Sequence, residues 1–190
     1  ILKWAKSKDN FTAPSSQEKP FWMTSKKSKK LVHRWRAEED AILVGRKTVL
    51  ADNPSLTVRM CKGKNPIRII IDKELLLDKK SNVFDDQAET IVFNNIKSAI
   101  IDKTTYLKAD FNNLNEDILN QLYNRDILSL IIEGGTITIN SFIEKNLYDE
   151  IRVFTTDKLL KKGINSPELP DINLIKTSII NNDKLEVYKR

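Results

Sequence analysis

An α/β fold built on a mostly parallel central sheet, with flanking helices and an antiparallel C-terminal edge, is what this sequence predicts. Short segments rich in Ile, Val and Leu alternate with amphipathic, helix-like stretches, the pattern of βα units. Two of those segments end at glycine, Ala41–Val44 at Gly45 and Leu128–Ile132 at Gly134-Gly135, and each hands over to a helical pattern. The last two, Leu174–Ile180 and Lys184–Tyr188, are joined by the turn-like Asn181-Asn182-Asp183 and can pair antiparallel at an edge.

In chain order, Ile1–Lys6 reads as a first strand, followed by a polar loop through Pro20. Thr24 or Ser25 can cap a helix running to Ala37, with Leu31, Val32 and Trp35 as its apolar stripe. After Gly45, Thr48–Ala51 begins a short helical turn that Asn53-Pro54 stops, because the residue before proline avoids helical geometry. Pro66–Asp72 contains Ile67-Arg68-Ile69-Ile70-Ile71, a strand pattern, and Thr90–Phe93 and Thr104–Leu107 are further strands. Asn113–Asn124 carries Leu114, Ile118, Leu119 and Leu122 at helical spacing. A second helix, Thr136–Lys145, turns Ile137, Phe142 and Ile143 toward the sheet, and Asp149–Thr155 is the strand after it.

A length of 190 residues fits a single domain, 1–190, with a core large enough to need no metal or disulfide. The longest apolar run, Ala41–Val44, is far too short to span a bilayer, so no membrane partner is expected. Ile1–Lys6 lacks a signal-peptide pattern, and a lone cysteine, Cys61, fits a reducing compartment; together they predict a cytoplasmic protein. The missing initiator Met suggests a domain cut from something longer. Cys61, beside Met60, reads more simply as a passive loop thiol than as a reactive one. With one cysteine and one histidine the chain cannot build a structural zinc site. For His33, a packed helix histidine is the plainer reading, since catalysis would need an orienting carboxylate that the sequence does not locate.

The net charge of +6 favours anionic partners, either phosphorylated metabolites or nucleic acid. Lys26, Lys27, Lys29 and Lys30 resemble a nucleic-acid patch in isolation. They open an amphipathic helix, however, and a solvated helix face accounts for them. Without zinc-finger spacing, an aromatic RNA-binding signature or a basic tail, nucleic acid is not the expected partner.

Two constellations carry chemistry. In Ile131-Ile132-Glu133-Gly134-Gly135-Thr136 a strand delivers Glu133 to its carboxyl end, and two glycines let the chain turn into a helix. The first amides of that helix form a phosphate site, although a tight turn with no ligand would look the same. The segment is neither GxGxxG nor a P-loop. The second constellation runs from Asp40 to Arg59, where Asp52 and Arg59 flank the turn at Asn53-Pro54. By itself it amounts to a capping carboxylate and a surface arginine.

Taken together, these residues resemble the reductase domain of riboflavin biosynthesis, the C-terminal half of the bifunctional deaminase–reductase. The resemblance rests on Arg36-Ala37, Asp40–Gly45, Thr48-Val49 and Ala51–Arg59 in order, then Glu133-Gly134-Gly135, Ser141-Phe142-Ile143 and Leu147–Ile151. Lys3, Ala5, Ser7 and Asp9 match near the start, and Trp22-Met23-Thr24-Ser25 before the first helix. It covers nearly the whole chain.

Such domains have a dihydrofolate-reductase-like fold, bind NADPH, commonly form homodimers and work with a zinc deaminase domain. The resemblance places Ala5, Trp22, Thr48 and Asp52 against the cofactor, with the helix start Gly135, Thr136, Ile137, Thr138, Ile139, Asn140 and Ser141. It places Arg36, Leu56, Arg59 and Glu133 on a phosphorylated pyrimidine substrate, and Lys3 beside the reacting sugar. Lys3, Asp52 and Glu133 are the candidates for proton transfer, and Arg59 for gripping the sugar phosphate. Pro20 stands where relatives use serine toward the substrate, Asn10 replaces a glycine, and Lys73 replaces a serine near the cofactor. The deaminase half would need His-x-Glu and Pro-Cys-x-x-Cys, which one cysteine excludes from this chain. Two rival readings remain: another NADPH reductase on the same scaffold, and a non-catalytic phosphate- or nucleic-acid-binding module.

Overall fold

The computed structural model describes residues 1–15 and 22–190, so Pro20 lies outside the described residues. Strand β1 (Leu2–Lys6) alternates its side chains: Leu2 and Trp4 enter one core, while Ala5 packs on the opposite one. The chain then turns at Asn10, whose φ of 64° is a left-handed value that asparagine accepts in place of glycine. It continues as β2 (Phe11–Pro14). Helix α1 (Lys26–Glu38) starts at Ser25, whose Oγ accepts the Ser28 N–H. Asp183 Oδ2 also accepts from the Ser25 N–H and the Ser28 hydroxyl, which ties that cap to the far end of the chain.

Strand β3 (Ala41–Gly45) runs directly into α2 (Arg46–Asp52), which stops at a left-handed Asn53. The remaining elements are β4 (Ile67–Ile71), β5 (Thr90–Asn94), the hairpin β6 (Ala99–Ile101) and β7 (Thr104–Lys108), and α3 (Leu114–Tyr123). After them come β8 (Leu130–Ile132), α4 (Thr136–Glu144), β9 (Glu150–Thr155), β10 (Gly163–Asn165), β11 (Asn173–Ile180) and β12 (Asp183–Lys189).

Among the described residues the main sheet has ten strands in the order β11-β12-β9-β1-β8-β3-β4-β5-β7-β6. From β9 to β7 every pairing is parallel, so β1, β3, β4, β5, β7, β8 and β9 all end along one edge. The outer pairs, β9–β12, β12–β11 and β7–β6, are antiparallel. Helices α3 and α4 cover one face through Ile118, Leu122, Ile139 and Phe142. Helices α1 and α2 cover the other through Val32, Trp35 and Val49. The mostly parallel sheet and its antiparallel C-terminal edge agree with the sequence reading.

Several local expectations need correction. The polar loop after the first strand contains β2, which pairs antiparallel with the distant β10 as a separate ribbon. Strand β6 makes the second sheet edge antiparallel as well. Strand β8 starts at Leu130 because the Leu128 and Ser129 amides donate to Asp40 Oδ2 instead of entering the sheet. On α4, Ile139 is buried while Ile137 is 70% exposed, so Ile137 does not face the sheet.

The β3 and β8 ends approach so closely that a Cβ on Gly134 would lie 2.9 Å from both Gly45 N and Val44 Cα. A Cβ on Gly135 would lie 3.4 Å from Thr48 Oγ1, and neither glycine has a positive φ. Gly134→Ala should therefore destabilise by about 1–3 kcal/mol through overpacking. Gly135→Ala, at a helix N-cap, should cost no more than about 1 kcal/mol. Urea unfolding midpoints would check this, and equal midpoints for the two variants would refute the close-approach argument.

Candidate active site

Strand β8 delivers Glu133 to its carboxyl end, where the side chain turns toward α1. Arg36, on the inner face of α1, donates to it with both Nε (3.2 Å to Oε1) and Nη2 (2.7 Å to Oε2), a bidentate pair. Lys3 Nζ, from the neighbouring β1, stands 3.8 Å from Glu133 Oε2. All three side chains are largely buried. Burial by itself would raise the Glu133 pKa, but the charges of Arg36 and Lys3, with the Arg36 hydrogen bonds, outweigh it and hold the carboxyl at about 2. Burial lowers the Lys3 pKa, opposed by Glu133 and reinforced by Arg36.

One helical turn before Arg36, His33 is buried and its Nδ1 accepts the Arg59 backbone N–H at 3.2 Å. Burial, then the charges of Arg36 and Arg59, lower its pKa to about 4, so it is neutral near pH 7. The packed-histidine reading fits this role as a backbone acceptor. The loop it anchors is held at further points. Asn53 Oδ1 accepts the Asn82 N–H, and Asn65 Oδ1 accepts the Val58 N–H. Buried Leu56 sits in the left-handed region at φ 54°, a strained conformation for a bulky side chain. The loop thus presents the exposed Arg59 side chain from a fixed backbone.

A second cluster lies on the other side of the same glycines. The Gly135 N–H donates to Thr48 Oγ1 at 2.9 Å, joining the starts of α4 and α2. Helix α4 has no side-chain cap and no acid in its first turn, so its leading amides and positive end remain available. A Cβ on Gly45 would meet Thr138 Oγ1 at 2.8 Å, so glycine lets the end of β3 approach the first turn of α4. Thr136 Oγ1 donates to the Asn165 carbonyl at 2.9 Å, tying the β2–β10 ribbon over the helix start.

The other candidate positions divide. Ala5 is half-buried on β1, on the α1 face of the sheet. Trp22 is 52% exposed and Asp52 is exposed at the end of α2. Ile139 has its side chain in the core, and Ser141 Oγ turns away to donate to the Thr138 carbonyl, also meeting Asn115, so these two can contribute little beyond backbone. Asn140 is half-buried in mid-helix. Lys73, just past β4, holds its ammonium 5.4 Å from the Phe111 ring centroid. Among the described residues no group of three or more His, Cys, Asp or Glu could hold a metal, and no helix is long and apolar enough to cross a membrane.

Residues 1–179 match the family described as the RibD C-terminal domain. The chain belongs to that family. A RibD riboflavin biosynthesis protein of Aquifex aeolicus is 35% identical over 176 residues, covering 88% of this chain and 49% of the relative. A 2,5-diamino-6-ribosylamino-4(3H)-pyrimidinone 5′-phosphate reductase of the same organism is 35% identical over 149 residues, 74% of this chain and 66% of its own. The chain spans about half the length of the RibD relatives it matches. Among solved structures, a Thermotoga maritima deaminase/5-amino-6-(5-phosphoribosylamino)uracil reductase superposes with a TM-score of 0.86 at 30% identity, over 99% of this chain and 55% of that one. An Enterococcus faecalis dihydrofolate reductase superposes with a TM-score of 0.58 at 13% identity, over 100% of this chain and 94% of that one, which shows the dihydrofolate-reductase-like fold.

Two features of this RibD C-terminal domain went unread in the sequence. Thr138, which the resemblance put against the cofactor, also packs directly on Gly45. Lys29 lies four and seven residues before His33 and Arg36, a helical spacing that the run of lysines around it hid.

The depressed His33 pKa has a measurable consequence. From its ordinary 6.5 down to about 4 the unfolded chain binds a proton that the native state refuses, so stability falls as pH drops through that window. His33→Asn keeps an acceptor for the Arg59 N–H and removes the titration. Between about pH 7 and about pH 4.5 the wild type should lose roughly 2 kcal/mol more than the variant. Parallel slopes in urea unfolding across that range would contradict the assignment.

Proposed function

We propose that this single domain, residues 1–190, is the NADPH-dependent reductase of riboflavin biosynthesis, converting 5-amino-6-(5-phosphoribosylamino)uracil to its 5-phosphoribitylamino product. One observation carries the reading: Glu133-Gly134-Gly135 joins two adjoining half-sites, a buried Lys3–Arg36–Glu133 cluster and an uncapped helix start beside Gly45 and Thr48. The names of the relatives agree with it.

The helix start suits a dinucleotide pyrophosphate, because it has no side-chain cap and carries no competing acid in its first turn. Thr48, Gly135, Thr136, Ile137 and Thr138 would hold that group, with Ala5, Trp22 and Asp52 along the rest of the cofactor. When bound, NADPH supplies the hydride that reduces C1 of the opened sugar. Arg36 and Glu133 fix each other and orient the substrate, and Leu56 sets the loop that presents Arg59 to its 5′-phosphate. Lys3 is the proton donor: burial has weakened its hold on the proton, whereas Glu133 at about 2 remains an anion. Asp52, exposed at the end of α2, stands outside the buried triad.

A second substrate, the pyrimidinone that still carries its 2-amino group, is favoured by the name of one Aquifex aeolicus relative. Offering both compounds decides between them. Strand β11, an exposed edge bearing Leu174, Ile175 and Ile179, supports a homodimer, which sedimentation would read. A deaminase, as named in the Thermotoga maritima relative, would supply the substrate, and the zinc expected from the resemblance would belong to that domain.

The purified chain should consume NADPH with this substrate and without added metal, and inhibition by a chelator while the fold survives would overturn the metal-free scheme. Arg59→Ala should lower kcat/KM for the phosphorylated substrate about 30-fold or more and leave NADPH affinity unchanged. Equal losses on the substrate lacking its phosphate would remove Arg59 from the phosphate site.

A further inference from the structure

Helix α1 carries Lys29, His33 and Arg36 at i, i+4 and i+7, one stripe along the helix. Lys26, Lys27 and Lys30 around it are exposed, as a solvated face requires, but Lys29 is half-buried. Its ammonium lies 3.4 Å from the centroid of the Trp22 ring. Trp22 as a whole is 52% exposed, its carbonyl accepts a hydrogen bond from Lys158 Nζ at 3.0 Å, and the Lys29 ammonium covers one face of its ring.

Lys29 lies in the field of Arg59 and Arg36, and all three act on His33. Glu133 also acts on His33, but Arg36 and Lys3 already share its carboxylate. Among the described residues neither Lys29 nor the Arg59 side chain has an ion pair. Like charges gathered around one shared carboxylate repel, and an anion entering between them relieves that repulsion. An aromatic face holds an ammonium more weakly than a phosphate dianion does.

We propose that Lys29 is a second cation of the phosphate site, alongside Arg59, and that it leaves the Trp22 ring for the phosphate when a phosphomonoester enters. This rests on the reading of Arg59 as the phosphate anchor. The exchange makes Lys29 a specificity residue for phosphorylated substrates and couples phosphate occupancy to Trp22. By linkage, whatever ligand repositions Trp22 alters phosphate affinity to the same degree.

The test uses the full chain, titrated with ribose 5-phosphate and with inorganic phosphate while tryptophan fluorescence is read, and assayed with the substrate with and without its phosphate. Wild type should show a phosphate-dependent change that Trp22→Phe removes, which identifies the reporter. Lys29→Met, which keeps the aliphatic stem, should abolish that change. It should also raise KM for the phosphorylated substrate about tenfold, with little effect on the other. Lys29→Arg should recover most of both. If Lys29→Met raises both KM values equally, or leaves the phosphate-dependent signal intact, the proposal is overturned and the reductase reading stands. If the signal depends on Lys29 but the wild type turns over neither pyrimidine, the phosphate site stands and the reductase reading falls.

Discussion

The carboxyl ends of β3 and β8 meet at a separation that leaves no room for a β-carbon on Gly134. Everything at the site follows from that approach. On one side of Gly134 the chain presents Glu133 to α1, and on the other it begins α4 at Gly135 beside Thr48. A wider gap would part the two helix starts and draw Glu133 away from Arg36 and Lys3. The parallel sheet makes the approach possible because it places all the strand ends along one edge, where ligands of open α/β sheets bind.

Glu133 is costly to bury as an anion, and its bidentate contact with Arg36 offsets that cost. The triad is therefore a weak source of net stability but a strong determinant of geometry. Loss of one partner would leave a buried, uncompensated charge. The same balance divides the chemistry: the carboxyl is locked as an anion, so the group whose proton has become easier to remove is Lys3.

The parallel core was legible because its strands are buried on both faces and read as unbroken apolar runs such as Ile69-Ile70-Ile71. The two glycine-ended strands also marked the edge where β3 and β8 converge. The ribbon of β2 and β10 was not legible, since four half-exposed residues pair with a segment some 150 positions away in sequence and bury little. Ile137 misled for a related reason. Three isoleucines on α4, Ile137, Ile139 and Ile143, leave the apolar face ambiguous, and contact with the sheet selected Ile139. The candidate site was legible in its side chains but not in its charge states, because burial and proximity set a pKa and neither appears in a linear pattern.

His33 shows why those charge states matter for the phosphate reading. A histidine among Arg36, Arg59 and Lys29 could have made the positive field depend on pH near neutrality. Its ring instead stays neutral down to about pH 4 because it is buried and surrounded by like charge. At neutral pH the positive field therefore rests on the arginines and lysines around His33 and not on His33 itself. His33 then adds no pH dependence across neutrality, whereas a phosphomonoester ligand does, because its second ionisation falls near about pH 6. In the proposed reading such a field favours the dianion, and would separate a phosphorylated sugar from the free sugar by charge.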